Sequence, residues 1–545
     1  MHAHSVMNMK HHNTRITSGF SFLLTAILLV VSHLCLMSCA HSNVDLSAIV
    51  KSDTYYAGKL SGKECIVVFN DVSEKGVSGT LYKIADDAVL HPTEFSAKVR
   101  GKKCVIHLAD RKFAWKKFSI SGDTKRFQGE YADGDFDFKI YSQPSFPKID
   151  KLQRYKEECF EIETLRDVKY GTAKGYWVSR VEKSSNYAKI IGSGIAKTLT
   201  KKDFDLYMDI YMPKGDTMKK RPLVLFIHGG GFFIGDKRDS PIILMCQHFA
   251  KMGYVVASIN YRMGFKPAKS SIERCGYRAV QDAHAAMRFL IHNKEKYRID
   301  PNYLFAAGSS AGGVTTLNLA FMTNSDRPES VNGGWLTESL GNIESSGNSY
   351  KETFRLRCIC NMWGAVHDIK MVKNRKVSII SFHGDADQVV PYGTDVPFKD
   401  IKFNISNLFF DKMYGSKPIH EQAKKLGYRE ELHTFKGCGH SPFADDNDRP
   451  TQKFYFIQEK TTDFFYKEFE SDKVKIVSAR GQRFSLNVNT VEQCSWSITG
   501  GLILSKTGNS VRAVWFPNAK DKVLECTGRL KNGAGFQTEF KPDNQ

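Results

Sequence analysis

The pattern of hydrophobic and polar positions divides the chain into regions of different character. In residues 45–148, β-branched and aromatic residues alternate with polar ones in short segments, which predicts the strands of a small barrel or sandwich. Residues 155–470 alternate short, continuous apolar runs with amphipathic stretches of helical period. Residues 471–545 return to short β segments separated by turns. We therefore expect two β-rich accessory regions on either side of a region that contains both helices and strands.

The central region is predicted to form a mostly parallel sheet with helices on both faces, because its buried runs alternate with helices. The apolar run at 222–227 and the segment at 253–260 are typical of fully buried strands. Residues 277–293 have the apolar stripe of an amphipathic helix, whereas residues 170–187 and 205–211 are typical of antiparallel edge strands. The predicted fold class is α/β.

A Gly-Ser-Ser-Ala-Gly motif at residues 308–312 lies between an apolar strand segment and a helical one. In this strand–turn–helix context, G-x-S-x-G holds its central serine on a tight turn at a helix N-terminus, where developing negative charge is favoured. Ser310 is therefore the candidate nucleophile, and Ser309 lies one position too early for the motif. By itself, the motif is also compatible with an ordinary Gly/Ser-rich turn.

A run of glycines follows the buried strand at 222–227, in the sequence His-Gly-Gly-Gly-Phe at 228–232. Successive glycines let backbone N–H groups approach a substrate oxygen, as an oxyanion hole requires. A glycine-rich surface loop would have a similar composition. The preceding strand and the flanking His228 and Phe232 favour the oxyanion loop.

Two later loops supply a candidate acid and a candidate base. The sequence His-Gly-Asp-Ala-Asp at 383–387 follows an apolar strand, so that a carboxylate there can orient a histidine. Asp385 and Asp387 both qualify by residue type, and the fuller H-G-x-x-D-x-x-V-P pattern favours Asp387. His440, in a glycine-flanked loop after another strand, is the candidate base for the proton of Ser310.

These motifs resemble those of the α/β-hydrolases, and among them the carboxylesterases of the hormone-sensitive-lipase-like and BD-FAE-like type. The resemblance covers residues 155–470 and extends to Asn-Tyr-Arg at 260–262, Asp282 and Asp-Pro at 300–301. Ser309 departs from the pattern, since related esterases often carry an acidic residue before the nucleophile.

The resemblance implies an α/β-hydrolase fold and the triad order Ser310, Asp387, His440. It assigns the oxyanion hole to the N–H groups of Gly230, Gly231 and Ala311. It implies the hydrolysis of carboxylic esters through an acyl-enzyme, which needs neither a metal nor an organic cofactor. A serine peptidase of the same fold and an inactive binding protein on a hydrolase fold are the alternatives. The absence of propeller repeats speaks against the first, and the intact triad residues speak against the second.

Two inserts, at 323–354 and 393–417, are expected to shape specificity because such segments can overhang a site. The second insert is rich in aromatic residues, which would either bind a sugar or an aromatic acyl group or pack into a local core. These aromatics are Phe398, Phe403, Phe409, Phe410 and Tyr414. By analogy with exported esterases that carry extra modules, the expected substrates are acetyl or feruloyl esters of carbohydrates.

The N-terminus resembles a bacterial lipoprotein signal. Lys10 and Arg15 precede an apolar run at 20–37, and the segment Leu-Met-Ser-Cys at 36–39 ends in the cysteine that such signals present for lipidation. This predicts that residues 1–39 are a signal segment, that Cys39 carries lipid, and that the protein is exported and tethered to a membrane. An ordinary signal peptide or an uncleaved anchor would also export the chain.

Charge and cysteine content refine this view. The net charge of +20 over 545 residues fits a solvated lysine-rich surface or attraction to an acidic polysaccharide or anionic surface. The sequence does not indicate nucleic acid as a partner, because no nucleic-acid-binding motif is present.

In an exported protein, Cys65 with Cys104 and Cys494 with Cys526 are candidate disulfide pairs, and no cysteine spacing resembles a zinc site.

The last region, residues 471–545, resembles the PKD-like and immunoglobulin-like modules of secreted enzymes. The resemblance rests on residues 494–501 and 511–515, which place Trp496 and Trp515 in short strands. It implies a β-sandwich that acts as a spacer or contacts a glycan or a protein, without catalysis.

Overall fold

A computed structural model describes residues 54–542 of the chain, apart from short gaps. The gaps are residues 61, 74–75, 85–88, 101–102, 109–110, 115–117, 124, 132–133, 180–196, 199, 336, 374–376, 400–409, 446, 448 and 480–481. The predicted signal segment with Cys39 lies outside the described residues. The chain divides into two compact units: Met1–Ile149 with Val474–Gly528 and Phe536–Gln545, and Asp150–Lys473 with Arg529–Gly535.

The N-terminal β region is an antiparallel sheet with the strand order β6-β5-β4-β3-β2-β1-β9-β8-β7. Its strands are β1 (Tyr55–Leu60), β2 (Lys63–Ser73), β3 (Gly76–Ile84), β4 (Leu90–Arg100), β5 (Lys103–Leu108), β6 (Arg111–Ala114), β7 (Phe118–Asp123), β8 (Arg126–Tyr131) and β9 (Gly134–Ile140). The alternating pattern places Tyr56, Phe69 and Phe95 in one buried cluster, with edge-to-face ring centroids 5.8 Å apart.

The second unit is built on a sheet with the order β10-β11-β13-β12-β14-β15-β16-β19. Strand β11 is antiparallel to both β10 and β13, and the pairs from β13 to β19 are parallel. The strands of this unit are β10 (Ile162–Gly175), β11 (Lys202–Pro213), β12 (Arg221–Ile227), β13 (Val255–Ile259), β14 (Ile299–Ser309), β15 (Cys358–Met362), β16 (Ser378–Gly384), β17 (Thr394–Asp395), β18 (Met413–Tyr414) and β19 (Glu430–Phe435). The α/β fold class expected from the sequence is therefore confirmed.

Helices cover both faces of this sheet. They are α1 (Ser240–Lys251), α2 (Lys269–His292), α3 (Lys294–Tyr297), α4 (Ala311–Phe321), α5 (Ser416–Lys425) and α6 (Gln452–Tyr466). Short 3₁₀ turns lie at Asn324–Asp326, Glu329–Asn332, Ile369–Met371, Lys467–Phe469 and Ser471–Lys473. Among the described residues, none of the helices is both long and apolar enough to span a bilayer.

Strand β12 explains why the central strands are continuous apolar runs. Leu223, Leu225 and Ile227 pack on one face with residues of α2 and α4. Val224 and Phe226 pack on the other face with residues of α1 and α6. Because successive side chains of a strand point to opposite faces, a strand covered on both sides needs apolar residues at every position.

The C-terminal β region contains two sheets, with the orders β20-β21-β24-β23 and β22-β25-β26. The strands are β20 (Ile476–Ala479), β21 (Arg483–Leu486), β22 (Val491–Thr499), β23 (Gly501–Thr507), β24 (Ser510–Trp515), β25 (Val523–Leu530) and β26 (Gly535–Phe540). Trp496 and Trp515 are buried. The likeness to a PKD or immunoglobulin module stays a prediction.

The two β regions, which are far apart in sequence, pack together within the first unit. Ile66 and Leu90 share an apolar cluster with Leu502 and Val514. Arg512 Nη2 lies 2.6 Å from Glu64 Oε2, and the Tyr141 hydroxyl donates to the carbonyl of Ile503 at 3.1 Å. Sequence analysis treated these regions separately and did not foresee the contact.

The candidate disulfide pairs differ in what the structure shows. Cys494 and Cys526, on the neighbouring strands β22 and β25, are free thiols. The nearby thiol of Cys526 lowers the pKa of Cys494 to about 7, and the same interaction raises the pKa of Cys526. Cys65 is buried as a thiol, and the side chain of Cys104 lies outside the described residues.

Candidate active site

The carboxyl ends of the parallel strands bring the predicted motifs to one edge of the sheet. The glycine loop follows the end of β12, and the Gly-Ser-Ser-Ala-Gly motif follows the end of β14. The loop with Asp387 follows β16, and the loop with His440 follows β19. In an open α/β sheet, this edge is where functional loops gather.

Ser310 occupies a strained turn between β14 and α4. Its φ and ψ are 55° and −121°, a conformation that residues with a side chain rarely adopt. The N–H of Ser310 donates to the carbonyl of Met362 at 2.9 Å, which fixes the turn against β15. A Cβ atom at Gly312 would lie 2.0 Å from the carbonyl oxygen of Ile227, so a glycine is required there. This strained strand–turn–helix geometry is that of a nucleophile elbow.

The structure brings Ser310, His440 and Asp387 into one hydrogen-bonded line. Ser310 Oγ lies 2.8 Å from His440 Nε2, and His440 Nδ1 lies 2.7 Å from Asp387 Oδ2. Because a carboxylate can only accept, Nδ1 carries the proton and Nε2 is left to accept the hydrogen of Ser310. His440 keeps 19% of its side chain exposed, whereas Asp387 is fully buried. The line therefore runs from a fully buried carboxylate to a partly exposed histidine and to Ser310, which keeps 8% of its surface exposed.

The carboxylate of Asp387 is buried yet ionised. Burial raises its pKa, but hydrogen bonds from His383 and His440 and from the N–H of Val390 outweigh burial, so the pKa of Asp387 lies well below its ordinary value. Its Oδ1 accepts from the N–H groups of Val389 and Val390 at 2.8 and 3.0 Å. A carboxylate held by this many donors stays negative and can stabilise an imidazolium.

Asp385, the other candidate for the acid of the triad, makes different contacts in the structure. Its Oδ1 accepts from the N–H of Gly437 at 2.7 Å, and its Oδ2 lies 3.4 Å from Lys436 Nζ. Gly384 approaches the base loop closely, since a Cβ atom there would lie 2.2 Å from the carbonyl of Cys438. Asp385 therefore joins the acid loop to the base loop and does not contact His440.

A buried polar chain behind Asp387 was missed by sequence analysis. His383 Nε2 faces two acceptors, Val390 O at 3.1 Å and Asp387 Oδ2 at 3.3 Å, and therefore carries the proton. His383 Nδ1 accepts from the hydroxyl of Ser416 at 2.8 Å. Ser416 accepts in turn from Asn361 Nδ2 at 3.1 Å. His383 was visible within the H-G-x-x-D pattern, but nothing in the sequence marked Ser416 or Asn361 as its partners.

The predicted oxyanion donors lie beside the nucleophile. A Cβ atom at Gly229 would lie 3.2 Å from Ser310 Cβ, so the glycine loop and the elbow are in contact. Among the residues that the structure describes, the N–H groups of Gly230, Gly231 and Ala311 donate to no other group of the chain. Ala311 is also the first residue of α4, whose N-terminus favours negative charge. These donors are available to a negatively charged oxygen.

The glycine loop is held in place from the side of β13. The Tyr261 hydroxyl donates to the carbonyl of His228 at 2.9 Å, and the two rings stack with centroids 4.4 Å apart. Asn260 Oδ1 accepts from the N–H of Lys237 at 2.6 Å, while its Nδ2 donates to Asp236 at 2.9 Å. Asn260 and Tyr261, which sequence analysis noted only as part of a resemblance, therefore support this loop, whereas Arg262 of the same motif pairs with Asp282 at 2.7 Å.

The two inserts flank the N-terminus of α2. This helix begins at the carboxyl end of β13, on the same edge as Ser310. Arg274 Nη1 and Nη2 donate to the carbonyls of Ser330 and Glu338 in the first insert, at 2.7 and 2.6 Å. Lys269 pairs with Asp411 of the second insert. Both inserts thus belong to the rim of the site.

The aromatic residues of the second insert are only partly described. The rings of Phe398 and Phe410 pack with centroids 5.4 Å apart, and Tyr414 forms a backbone bridge to Val366. Phe403 and Phe409 lie outside the described residues. Among the described residues, no cluster of three or more histidine, cysteine or acidic side chains is arranged to hold a metal ion.

Part of the chain matches a known protein family. Residues 208–376 match the model of the family BD-FAE. This range includes the glycine loop and Ser310, but it ends before Asp387 and His440. The positions of the acid and the base therefore rest on the structure of this chain.

Several curated relatives of part of the chain are named as esterases. Gut esterase 1 of Caenorhabditis elegans is 31% identical over 116 residues, which cover 21% of this chain and 20% of that protein. Esterase E4 of Myzus persicae is 30% identical over 155 residues, or 26% of each chain. The chain thus spans about a fifth to a quarter of the length of these relatives.

One solved structure is similar to part of the chain. It is esterase 2 of Thermogutta terrifontis, phosphorylated by paraoxon, with a TM-score of 0.35 and 21% identity, and the match covers 49% of this chain and 90% of that one.

Proposed function

We propose that the protein is a serine carboxylesterase. The observation that carries this proposal is the line from Ser310 Oγ through His440 to Asp387, with distances of 2.8 and 2.7 Å. Unpaired backbone donors beside the serine and the sequence similarity to esterases support it. The fold alone would not, since it hosts many chemistries.

The mechanism follows from the positions of the protons. His440 Nε2 removes the hydrogen of Ser310 as Oγ attacks the ester carbonyl, and Asp387 stabilises the resulting imidazolium. The N–H groups of Gly230, Gly231 and Ala311 receive the oxyanion, and each such donor typically contributes about 3–4 kcal/mol to transition-state stabilisation.

His440 then protonates the leaving alcohol, and an acyl group remains on Ser310. Water hydrolyses this acyl-enzyme by the same steps, with His440 again acting as the base. His440 carries the proton in both halves of the cycle: from Ser310 to the leaving alcohol, and then from water back to Ser310 Oγ.

The nucleophile can be tested with a matched pair of variants. The full chain and Ser310→Ala are assayed on p-nitrophenyl acetate, with Ser309→Ala as the control because it removes the neighbouring hydroxyl. We expect Ser310→Ala to lose activity about 10³-fold or more and Ser309→Ala to retain it. Equal rates for the full chain and Ser310→Ala would refute the proposal.

We extend the proposal to acetyl or feruloyl esters of carbohydrates. The predicted export, the accessory β regions and the aromatic residues of the second insert support this substrate class. A panel of acetylated and feruloylated oligosaccharides, assayed beside peptide p-nitroanilides, tests it. Faster cleavage of the anilides would favour the peptidase alternative, and turnover of neither class by the pure protein would favour the inactive binding protein.

We also propose that the protein is an exported lipoprotein anchored through Cys39. The support is the basic, apolar and Leu-Met-Ser-Cys sequence of residues 1–39. Expression of the full chain in a Gram-negative host should place it in the membrane fraction. Cys39→Ala should release it or leave it unprocessed, and an unchanged distribution and size would contradict lipidation.

A further inference from the structure

A tryptophan on the rim of the site is almost fully exposed. The side chain of Trp335, in the first insert, has 97% of its surface accessible. The other large hydrophobic residues exposed in the described part of the chain range from 38% for Leu165 to 58% for Tyr455. A large apolar ring left in water forgoes the free energy of burial, which a ligand that stacks on it would recover.

Hydrogen bonds join the residues on either side of Trp335. The N–H of Gly334 donates to the carbonyl of Thr337 at 2.8 Å, and the N–H of Thr337 donates back to Gly334 at 3.1 Å. On either side of the turn, Arg274 binds the carbonyls of Ser330 and Glu338. The backbone on both sides of Trp335 is thus tied to α2. This lowers the entropic cost of ordering that backbone when a ligand stacks on the ring.

The same contacts connect the segment around Trp335 to the helix that follows the edge of the sheet carrying Ser310. Arg274 lies near the start of α2, which follows the carboxyl end of β13 after the loop at 260–268. The next residue, Cys275, donates its thiol hydrogen to the carbonyl of Phe232 in the glycine loop at 3.6 Å. A short path of contacts therefore connects the Trp335 turn with the oxyanion loop.

The described surroundings of the ring are polar. Asn332, Gly333, Gly334, Thr337 and Glu338, which lie near it in sequence, carry no large apolar side chain, and Glu338 pairs with Lys201 Nζ at 2.7 Å. Leu336, directly after Trp335, lies outside the described residues. Docking of a protein or a bilayer needs a contiguous apolar patch. One apolar ring among hydrogen-bonding groups instead matches a pyranose, which offers a face of C–H groups surrounded by hydroxyls.

We propose that Trp335 is a platform on which a sugar ring of the ester substrate stacks, so that it selects carbohydrate esters. This inference rests on the proposed esterase function. It assigns to Trp335 a part in binding the alcohol portion of the substrate and no part in the chemical steps at Ser310.

The kinetic test compares substrates with and without a sugar. The full chain, Trp335→Ala and Trp335→Tyr are assayed on p-nitrophenyl acetate and on acetylated xylo- and manno-oligosaccharides. Tyr455→Ala removes another exposed aromatic ring and is the matched control. For Trp335→Ala, we expect kcat/KM on the sugar esters to fall by about three- to tenfold through a higher KM. Trp335→Tyr should recover part of this loss, and the rates of all variants on p-nitrophenyl acetate should be equal.

A binding measurement separates this inference from the esterase proposal. In the background of Ser310→Ala, titration with the same oligosaccharides should change tryptophan fluorescence, and Trp335→Ala should abolish the change. If the full chain hydrolyses p-nitrophenyl acetate but no oligosaccharide is bound or cleaved, the platform is refuted and the esterase stands. If Ser310→Ala is as active as the full chain, the esterase proposal fails, while fluorescence still reports on the platform. Loss of binding to anionic lipid vesicles in Trp335→Ala, with sugar binding unchanged, would assign the ring to a membrane and refute the platform.

Discussion

His383 Nε2 lies 3.3 Å from Asp387 Oδ2, and both side chains are completely buried. The carboxylate therefore has one histidine in front of it, His440, and another behind it. The rear histidine has no path to a substrate, but it determines where the carboxylate points. His383 acts as a positioning residue for the acid.

Replacement of His383 tests this role. We expect His383→Ala to lower kcat on p-nitrophenyl acetate by roughly ten- to a hundredfold, because a misplaced Asp387 misaligns His440. KM should stay unchanged, since His383 does not contact the substrate. His383→Gln, whose amide can donate to the carboxylate, should recover part of the activity. A raised KM with an unchanged kcat would contradict the positioning role.

The two candidate acids should differ sharply in kinetics. Asp387→Ala removes the partner of His440 Nδ1, and we expect kcat to fall by about 10⁴-fold. Asp385→Ala removes only a loop contact to Gly437 and Lys436, so we expect a much smaller loss. Steady-state rates on p-nitrophenyl acetate measure both. A larger loss in Asp385→Ala than in Asp387→Ala would reverse the assignment.

Asp387 should also make the stability of the protein sensitive to acid. Its pKa in the folded protein is below the ordinary value, so the unfolded chain binds a proton more readily. Its contribution is therefore fully present above the unfolded pKa of about 4 and is lost as the pH falls through the folded pKa. Asp387→Asn lacks this contribution at every pH.

Urea unfolding checks this expectation. Between about pH 5 and about pH 3, the midpoint of the native protein should fall more than the midpoint of Asp387→Asn. The other buried carboxylates are shared by the two proteins and do not affect the difference. If the urea midpoints of the two proteins fall by the same amount over this pH range, Asp387 is not the source of the acid sensitivity.

The elbow should not tolerate a methyl group at Gly312. A Cβ atom there would lie 2.0 Å from the carbonyl of Ile227 and 2.6 Å from that of His228, both backbone atoms within the central sheet. We expect Gly312→Ala to lower Tm by several degrees or to abolish folding. Gly393→Ala is the control, because a Cβ atom there meets nothing within 4 Å. Equal Tm values for the two variants would contradict this geometry.

The paired thiols of the C-terminal region should oxidise together. Cys494 and Cys526 lie on neighbouring strands, and the lowered pKa of Cys494 provides the thiolate that disulfide exchange needs. With oxidised glutathione as the oxidant, we expect a Cys494–Cys526 disulfide, found by peptide mass mapping of the unreduced protein. Cys526→Ser should leave Cys494 as a glutathione mixed disulfide. Recovery of both residues as unmodified thiols would contradict the prediction.

The catalytic residues were easier to predict than the residues that hold them in position. Ser310, Asp387 and His440 belong to local motifs that end strands, and parallel strands carry such ends to one edge whatever lies between them. Ser416, at the start of α5, bonds to His383, and Asn361, on β15, bonds to Ser416. No local sequence pattern predicts a hydrogen bond between residues so far apart in the chain. The packing of the two β regions was hidden for the same reason, because it depends on surface complementarity between segments several hundred residues apart. The exposure of Trp335 was equally invisible, since an insert of this composition could also have folded over the ring.

The contact between Gly312 and the end of β12 has a wider consequence. The backbone of the turn that carries the nucleophile packs directly against the backbone at the start of the loop that carries the oxyanion donors. The two halves of the catalytic apparatus therefore cannot drift apart while the sheet persists. Heat should remove activity and fold in one event, without an interval in which a folded protein is already inert, whereas the inserts on the rim remain free to vary with the ester to be bound.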